Sequence, residues 1–409
     1  MLDKIVYAGV ANSSFEQGRE DLRKLAEVEV PTKQVERICH RIGAERVSQR
    51  QAEVAAYQAL PLTQRKEAPA GVTAPALAVV GCDGGRVQIL ERGGGTIEAE
   101  AAIPSADTRR GKHWREDKIG LLMTMKSEES RHDPCPEIPE CFVDPTRIVK
   151  LARELKKQAL PSEEAAKESA APAVGVEMLA EKRTWEPPKV LEKRFVGSRV
   201  RWPEFGPILA AKAWVGGFFA APRKAFIADG SDNNWTIWRN HFSSFTPVLD
   251  FIHALSYVFA AAMAGRPFAE GWKTYEQWIS WMWKGETAQV IAALAQRQRE
   301  LGTPEENDGD TSPRQVVAQA LTYVQNHQSQ MKYAEYRRVG LPITSSYVES
   351  AVKQFNQRVK GTEKFWTEAG AEAMLQLRAD TLSEDDPLSR FWQTRQTEQT
   401  GQRPYRRAA

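Results

Sequence analysis

ALAVVGCDGGRVQIL, residues 76–90, marks the point where the chain leaves polar helical patterning for short apolar runs separated by glycine. ALAVVGCD and RVQIL read as two strands, with Asp83-Gly84-Gly85 as the turn between them, because glycine tolerates the positive φ angles of tight hairpins. A third run, KIGLLMTM at 118–125, follows a polar, basic loop over 105–117, SADTRRGKHWRED. Three such runs in succession predict the start of a sheet.

Upstream, Leu22, Leu25 and Ala26 precede Glu27-Val28-Glu29-Val30-Pro31, and Thr32 is placed to cap a second helix. Two helices broken by a short turn over 15–45 match a helix-turn-helix. The second helix would expose Lys33, Gln34, Arg37, His40 and Arg41 while Val35, Ile38 and Ile42 turn inward, which suits entry into a major groove. A small helical bundle with a solvated face satisfies the same pattern. Downstream, residues 156–190 are rich in Ala, Glu, Pro, Ser and Lys and read as an exposed helix plus a linker or loop. Residues 206–219 read as a helix. The run at 225–228 reads as a strand ending at Asp229-Gly230, and Pro247-Val248-Leu249 ends at Asp250. FIHALSYVFAAAMAG then reads as a buried helix, and residues 265–338 as mostly helical apart from a loop over 302–313.

The chain has 409 residues, enough for two or three domains, and its 42% apolar and 27% charged content is that of an ordinary soluble protein. No run approaches the roughly 18–20 apolar residues of a membrane span. The four cysteines, Cys39, Cys82, Cys135 and Cys141, are sparse, and MLDKIVYAGVANSSFEQGRE lacks a basic region followed by an apolar run. An intracellular protein without a membrane partner is expected. The net charge of +3 leaves any contact with nucleic acid to local basic faces.

Three carboxylates stand in suggestive places. Asp83 and Asp229 are each expected at a strand end, and Glu349 opens the helix in GLPITSSYVESAVKQFNQRVKGTEKFW, residues 340–366. In that helix Val348, Val352, Phe355 and Val359 form an apolar stripe beside a polar face of Glu349, Lys353, Asn356 and Lys360. Such acids, if gathered, could hold two divalent metals for phosphodiester chemistry. Asp-Gly is equally an ordinary turn dipeptide, and Ser346 with Glu349 fits a capping box. Arg86, His113, Arg115, Trp235, Arg239, Lys353 and Lys360 form a candidate DNA track. The tail TGQRPYRRAA adds a basic segment. Trp272, Tyr275, Trp278, Trp281 and Trp283 either stack on an unpaired base or fill a helical core. His132, Cys135 and Cys141 offer three zinc ligands without an evident fourth.

GCDGGRVQ, HWREDKIG, FIADGSDNNW, LDFIHALSYV and the 340–366 segment, in that order over roughly 75–370, resemble DDE transposases of bacterial insertion sequences, the ISKra-type group related to Mutator-like elements. The resemblance implies an RNase-H-like α/β fold: a mixed sheet flanked by helices, with a helix-turn-helix-like N-terminal region and an all-helical insertion before the catalytic Glu. It maps the metal-binding triad onto Asp83, Asp229 and Glu349, holding two Mg²⁺ ions with Mn²⁺ as the alternative. Asp250 and His253 correspond to a D-x-x-H element expected beside the active site. The implied organisation is a DNA-binding region at 1–73, a catalytic core at 74–264 and an insertion at 265–338. The rest of the core follows at 339–380 and a tail at 381–409. Residues 1–73 are short for the DNA-binding region of such enzymes. The implied partners are double-stranded DNA, as terminal inverted repeats and target, and a second copy of the chain in a homodimer, with no small-molecule substrate. The implied location is the bacterial cytoplasm, at the nucleoid. A recruited DNA-binding protein of this fold and a structure-selective RNase-H-like nuclease remain the alternatives.

Overall fold

In the computed structural model residues 1–90, 113–155, 185–361 and 363–401 are described. Strand β1, Leu77–Ile89, runs without interruption through the stretch expected to turn. Asp83, Gly84 and Gly85 pair with Ile119, Lys118 and Asp117 of β2, Trp114–Lys126. The expected Asp83-Gly84-Gly85 hairpin is thus corrected to continuous strand, and Asp83 lies inside it. Neither glycine has a positive φ; what Gly85 supplies is room, since a Cβ there would meet Asp117 Oδ1 at 2.7 Å. Residues 114–117 of the expected basic loop belong to β2, while 105–112 lie outside the described residues.

Four more strands complete a mixed sheet: β3, Lys189–Ser198; β4, Arg223–Ala228; β5, Thr246–Leu249; and the short β6, Phe365–Trp366. The order is β3-β2-β1-β4-β5, with β6 beside the end of β1. β2 runs antiparallel to both β1 and β3, whereas β4 and β6 run parallel to β1 and β5 parallel to β4. β3 begins within the stretch read as a linker, of which 156–184 lies outside the described residues.

Helices flank this sheet. α1, Leu2–Ala11, α2, Phe15–Ala26, and α3, Thr32–Ala59, come first; α4, Pro145–Glu154, follows β2. α5, Trp202–Val215, and α6, Asp232–His241, bracket β4 in sequence, and α7, Phe251–Met263, follows β5. The stretch 265–338 forms α8, Phe268–Trp283, α9, Thr287–Leu301, α10, Pro313–Asn326, and α11, Tyr333–Arg338. α12, Ser346–Val359, α13, Glu368–Leu382, and α14, Pro387–Gly401, complete the helices, so helix occupies part of the expected tail; residues 402–409 lie outside the described residues. Among the described residues no helix is long and apolar enough to cross a membrane.

Glycines on the strands let helices approach the sheet closely. A Cβ on Gly120 would meet Leu209 Cδ1 of α5 at 2.5 Å, whereas Cβ atoms on Gly81 and Gly197 would meet Val348 Cγ2 and Phe355 Cε1 of α12 at 2.7 and 2.5 Å. α5 therefore covers one face and α12 the other.

α3 departs from a short recognition helix. Lys33, Gln34, Arg37 and Arg41 are exposed and Val35, Ile38 and Ile42 buried, as the pattern predicts, but His40, expected on the exposed face, is half-buried against Phe15 and Trp366, and the helix continues to 28 residues and packs along α13. A Cβ on Gly43 would lie 2.6 Å from the Ala373 carbonyl oxygen. Arg46 pairs with Asp380 at 2.9 Å, both side chains at most 6% exposed, and Arg50 reaches Glu372 at 2.7 Å and Gln376 at 2.9 Å. These charged positions face a core neighbour and not water.

The free edge of β3 is sealed by the same elements. The Lys193 and Phe195 backbone N–H groups donate to Glu384 Oε2 and Ser383 Oγ at 2.8 and 2.9 Å, and Arg50 donates to the Gly197 carbonyl at 3.3 Å. An unpaired edge would otherwise offer a template for another strand.

The rings of the 265–338 stretch form its own core: Trp272, Tyr275, Trp278 and Trp283 are buried. Tyr275 Oη donates to the Phe142 carbonyl and Trp283 Nε1 to the Cys135 carbonyl. The Arg337 guanidinium lies 3.9 Å from the Trp283 ring centroid and pairs with Asp133. Buried as they are, with the polar atoms of Tyr275 and Trp283 bonded to protein, these four rings pack instead of presenting stacking surfaces.

Candidate active site

Strand register brings three acids into one row. Gly81 of β1 pairs with Ile227 of β4, which pairs with Val248 of β5. These strands are parallel and side chains alternate with a period of two, so Asp83, Asp229 and Asp250, each two residues further on, fall on the same face and level. The Asp250 N–H donates to the Ala228 carbonyl at 2.8 Å and carries the ladder past the strand ends. Val348 packs over Gly81 on that face, which delivers the next residue, Glu349, to the row.

One ligand atom each of Asp250, His253 and Glu349 lies within 4.8 Å of the others, the group among the described residues with metal-ligand spacing. Asp83 and Asp229, two of the three expected metal ligands, lie outside that group but near enough for its charges to act on Asp83. Burial, and next the charge of Asp229, pushes the Asp83 carboxyl up to about 7 against the pull of the Gly84 N–H and His253, with Glu349 raising it further. The Gly84 N–H donates to Asp83 Oδ1 at 2.7 Å.

Asp250 is fully buried and its oxygens are taken up within the protein. Oδ1 accepts from the Ile252 and Ser345 N–H groups, both at 3.1 Å; Oδ2 accepts from Ser345 Oγ at 2.9 Å and lies 2.7 Å from His253 Nδ1. It is a positioning residue that caps α7, orients His253 and ties down the start of α12. Burial opposes charge on His253, but the hydrogen bond and charge of Asp250, with Asp229 and Glu349 beyond, outweigh it, so its pKa is raised.

That arrangement also decides the capping-box alternative. α12 begins at Ser346 with Ser345 as its N-cap, and the Ser345 hydroxyl serves Asp250 and not its own helix. Ser346 is inside the helix, where it cannot act as the capping residue.

Asp229 is held by residues that the sequence did not single out. Its Oδ1 accepts from the Ser231 N–H and from Asn234 Nδ2, both at 2.9 Å. Asn234, 1% exposed, in turn accepts from Cys82 Sγ at 3.3 Å across the sheet. Tyr323 Oη donates to the Asp229 carbonyl at 2.7 Å. The available signal was Asn234 within FIADGSDNNW, little more than one helical turn past the acid; nothing local pointed to Tyr323.

The basic candidates are spread over several surfaces. Arg86 and Arg115 are exposed on β1 and β2, Arg239 on α6, and Lys353 on α12; Lys360, expected on the same helix, is the exposed, extended residue just past its end, with Nζ 5.6 Å from the Trp114 ring centroid. Trp235 is corrected from DNA contact to core: it is 3% exposed and packs against Phe226, Trp238 and His327. His132, Cys135 and Cys141 form no metal-spaced group among the described residues, and Cys135 Sγ instead donates to the Glu137 carbonyl at 3.4 Å. Comparison of the chain with protein-family models and with curated proteins gave no match.

Proposed function

We propose that this protein is a DDE-type DNA transposase with an RNase-H-like core, which cuts at element ends and joins the freed 3′ hydroxyl to target DNA. The observation that carries the proposal is the delivery of Glu349, by the packing of Val348 on Gly81, to the row of Asp83, Asp229 and Asp250. Four acids scattered along the sequence thus meet on one face of a mixed sheet flanked by helices. That architecture is the one the resemblance calls for.

The donor set fits hard dications. Asp83, Asp229 and Glu349 crowd negative oxygens closely enough to raise Asp83, and both side-chain hydrogen bonds described for Asp229 fall on Oδ1, leaving Oδ2 for a ligand. These three residues would hold two Mg²⁺ ions, with Asp250 in support. When bound, such ions activate a water or a 3′ hydroxyl and stabilise the leaving oxygen. His253, oriented by Asp250 and favoured as a cation, is placed to meet a phosphate oxygen. Exposed Lys353, one turn past Glu349 on α12, and Lys360, just beyond the end of that helix, would neutralise backbone phosphates without reading sequence. Lys33, Gln34, Arg37 and Arg41 on the exposed face of α3 would contact the element end.

The test is strand cleavage and joining on DNA carrying the element ends with Mg²⁺. Asp229→Asn abolishes both reactions and leaves end binding intact; persistent full cleavage removes the metal-site assignment. Cutting without joining by the parent protein would make it a nuclease.

A further inference from the structure

The helices between Asp229 and Glu349 do more than lengthen the chain. Two tyrosines of this stretch donate hydroxyl hydrogen bonds to the sheet: Tyr336 to the Pro247 carbonyl at 2.9 Å and Tyr323 to the Asp229 carbonyl at 2.7 Å. Tyr323 projects from α10 and stacks on Tyr257 of α7, with ring centroids 3.8 Å apart and planes 16° apart. His327, one turn further along the chain, meets the Tyr323 ring edge-on at 4.9 Å. The ring is therefore fixed before its hydroxyl is considered.

The turn beneath it is built to receive this ring. Gly230 has φ +97°, a conformation that glycine adopts without strain, and a Cβ there would lie 2.8 Å from Tyr323 Cε2 and Oη. From the other side, Asn234 Nδ2 holds Asp229 Oδ1, and the Cys82 thiol holds the Asn234 amide oxygen. The Asp229 backbone is clamped by the helical insertion and its side chain by α6 and β1.

We infer that Tyr323 is a positioning residue for the metal site: it locks the Asp229-Gly230 turn so that Asp229 Oδ2 is held ready for a divalent cation. The inference rests on the proposed metal-dependent function and assigns the insertion a part in it. Ordering a flexible ligand carboxylate in advance removes part of the entropy cost of binding, so loss of the clamp weakens metal binding without removing a ligand.

The experiment measures Mn²⁺ binding to the full chain without DNA, from the electron paramagnetic resonance signal of free Mn²⁺, alongside thermal unfolding. Tyr323→Phe keeps the stacked ring and removes one hydroxyl. It is expected to raise the Mn²⁺ dissociation constant about tenfold, the scale of one lost hydrogen bond. Tyr336→Phe removes an equivalent bond to the sheet away from Asp229 and serves as control, with Mn²⁺ affinity within about twofold of the parent. In a cleavage assay, Tyr323→Phe shifts half-saturation by Mn²⁺ to higher concentration and recovers the parent rate at saturation. Equal Mn²⁺ affinity in Tyr323→Phe and the parent, or equal weakening in both variants, overturns the inference. Parent binding that Asp229→Asn leaves unchanged overturns the proposed function itself, a different result from either.

Discussion

The two sides of the sheet use charge in opposite ways. At the β3 edge, Arg46 with Asp380, Arg50 with Glu372, and Asp385 with Lys212 and Arg390 are ion pairs that hold α3, α5, α13 and α14 to the core. Beside β1, β4 and β5, Asp83, Asp229, Asp250 and Glu349 gather like charge around His253 as their cationic neighbour in the cluster. The first arrangement lowers the energy of the fold. The second gathers repulsion, seen in the raised Asp83 carboxyl, that a cation relieves; under the proposed function that cation is the divalent metal.

Substitutions break this contrast in different observables. The largest effect is in catalysis: Asp229→Asn lowers strand cleavage by on the order of a thousandfold or more, yet its thermal midpoint stays at or above that of the parent, because one repelling charge is gone. At the other side the effect is in stability. Arg46→Ala leaves Asp380 buried and unpaired and costs about 3–5 kcal/mol in urea unfolding, with parent-like cleavage in the fraction that remains folded.

Asp117 sharpens the comparison, because it is a fully buried acid outside the row, opposite Gly85 on the strand next to Asp83. Neither of its oxygens has a hydrogen-bond partner in another residue. Burial pushes its carboxyl up to about 6, against its own N–H and the charge of Lys118. An acid whose pKa is raised by folding weakens the fold as pH climbs from its ordinary value, near 4, to about 6, after which the loss is constant. Asp117→Asn removes that decline, a gain of up to about 3 kcal/mol at pH 8 and little at pH 4, read from unfolding midpoints at the two values.

The smallest effect is at Asp385. Burial disfavours its charge, but Lys212 at 3.0 Å, then Arg194 and Arg390, outweigh it and hold its pKa down. Its contribution is therefore complete above the ordinary carboxylate range and is lost as pH falls through the lowered folded value. Asp385→Asn costs roughly 1–3 kcal/mol at pH 7 and nearly nothing in strong acid.

Much of this was legible in the sequence where the signal was local. Asp229 after an apolar run, the buried helix after Asp250 and the inward positions of α3 follow from periodicity and turn chemistry. β1 was divided because Gly84-Gly85 looks like a turn when the space taken by Asp117 on the next strand is unknown. β3, KVLEKRFVGS, was missed because its first half is polar, and that polarity belongs to an edge strand whose bonds go to α3 and to the end of α13. Arg46 and Arg50 drew no notice in the sequence because their partners lie more than 300 residues away. At the site, Asp83 and Glu349 were visible as candidates, but the shared row was not. Register between parallel strands is set by distant packing, and the Asp250–Ser345 bonds span 95 residues.

The sealed edge of β3 also bears on how two copies can meet. With the Lys193 and Phe195 N–H groups and the Gly197 carbonyl already engaged, a strand added along residues 193–197 would have to displace those bonds. Under the proposed function, a dimer that leaves these bonds intact meets through other surfaces, and its subunits separate without unzipping a sheet shared at β3.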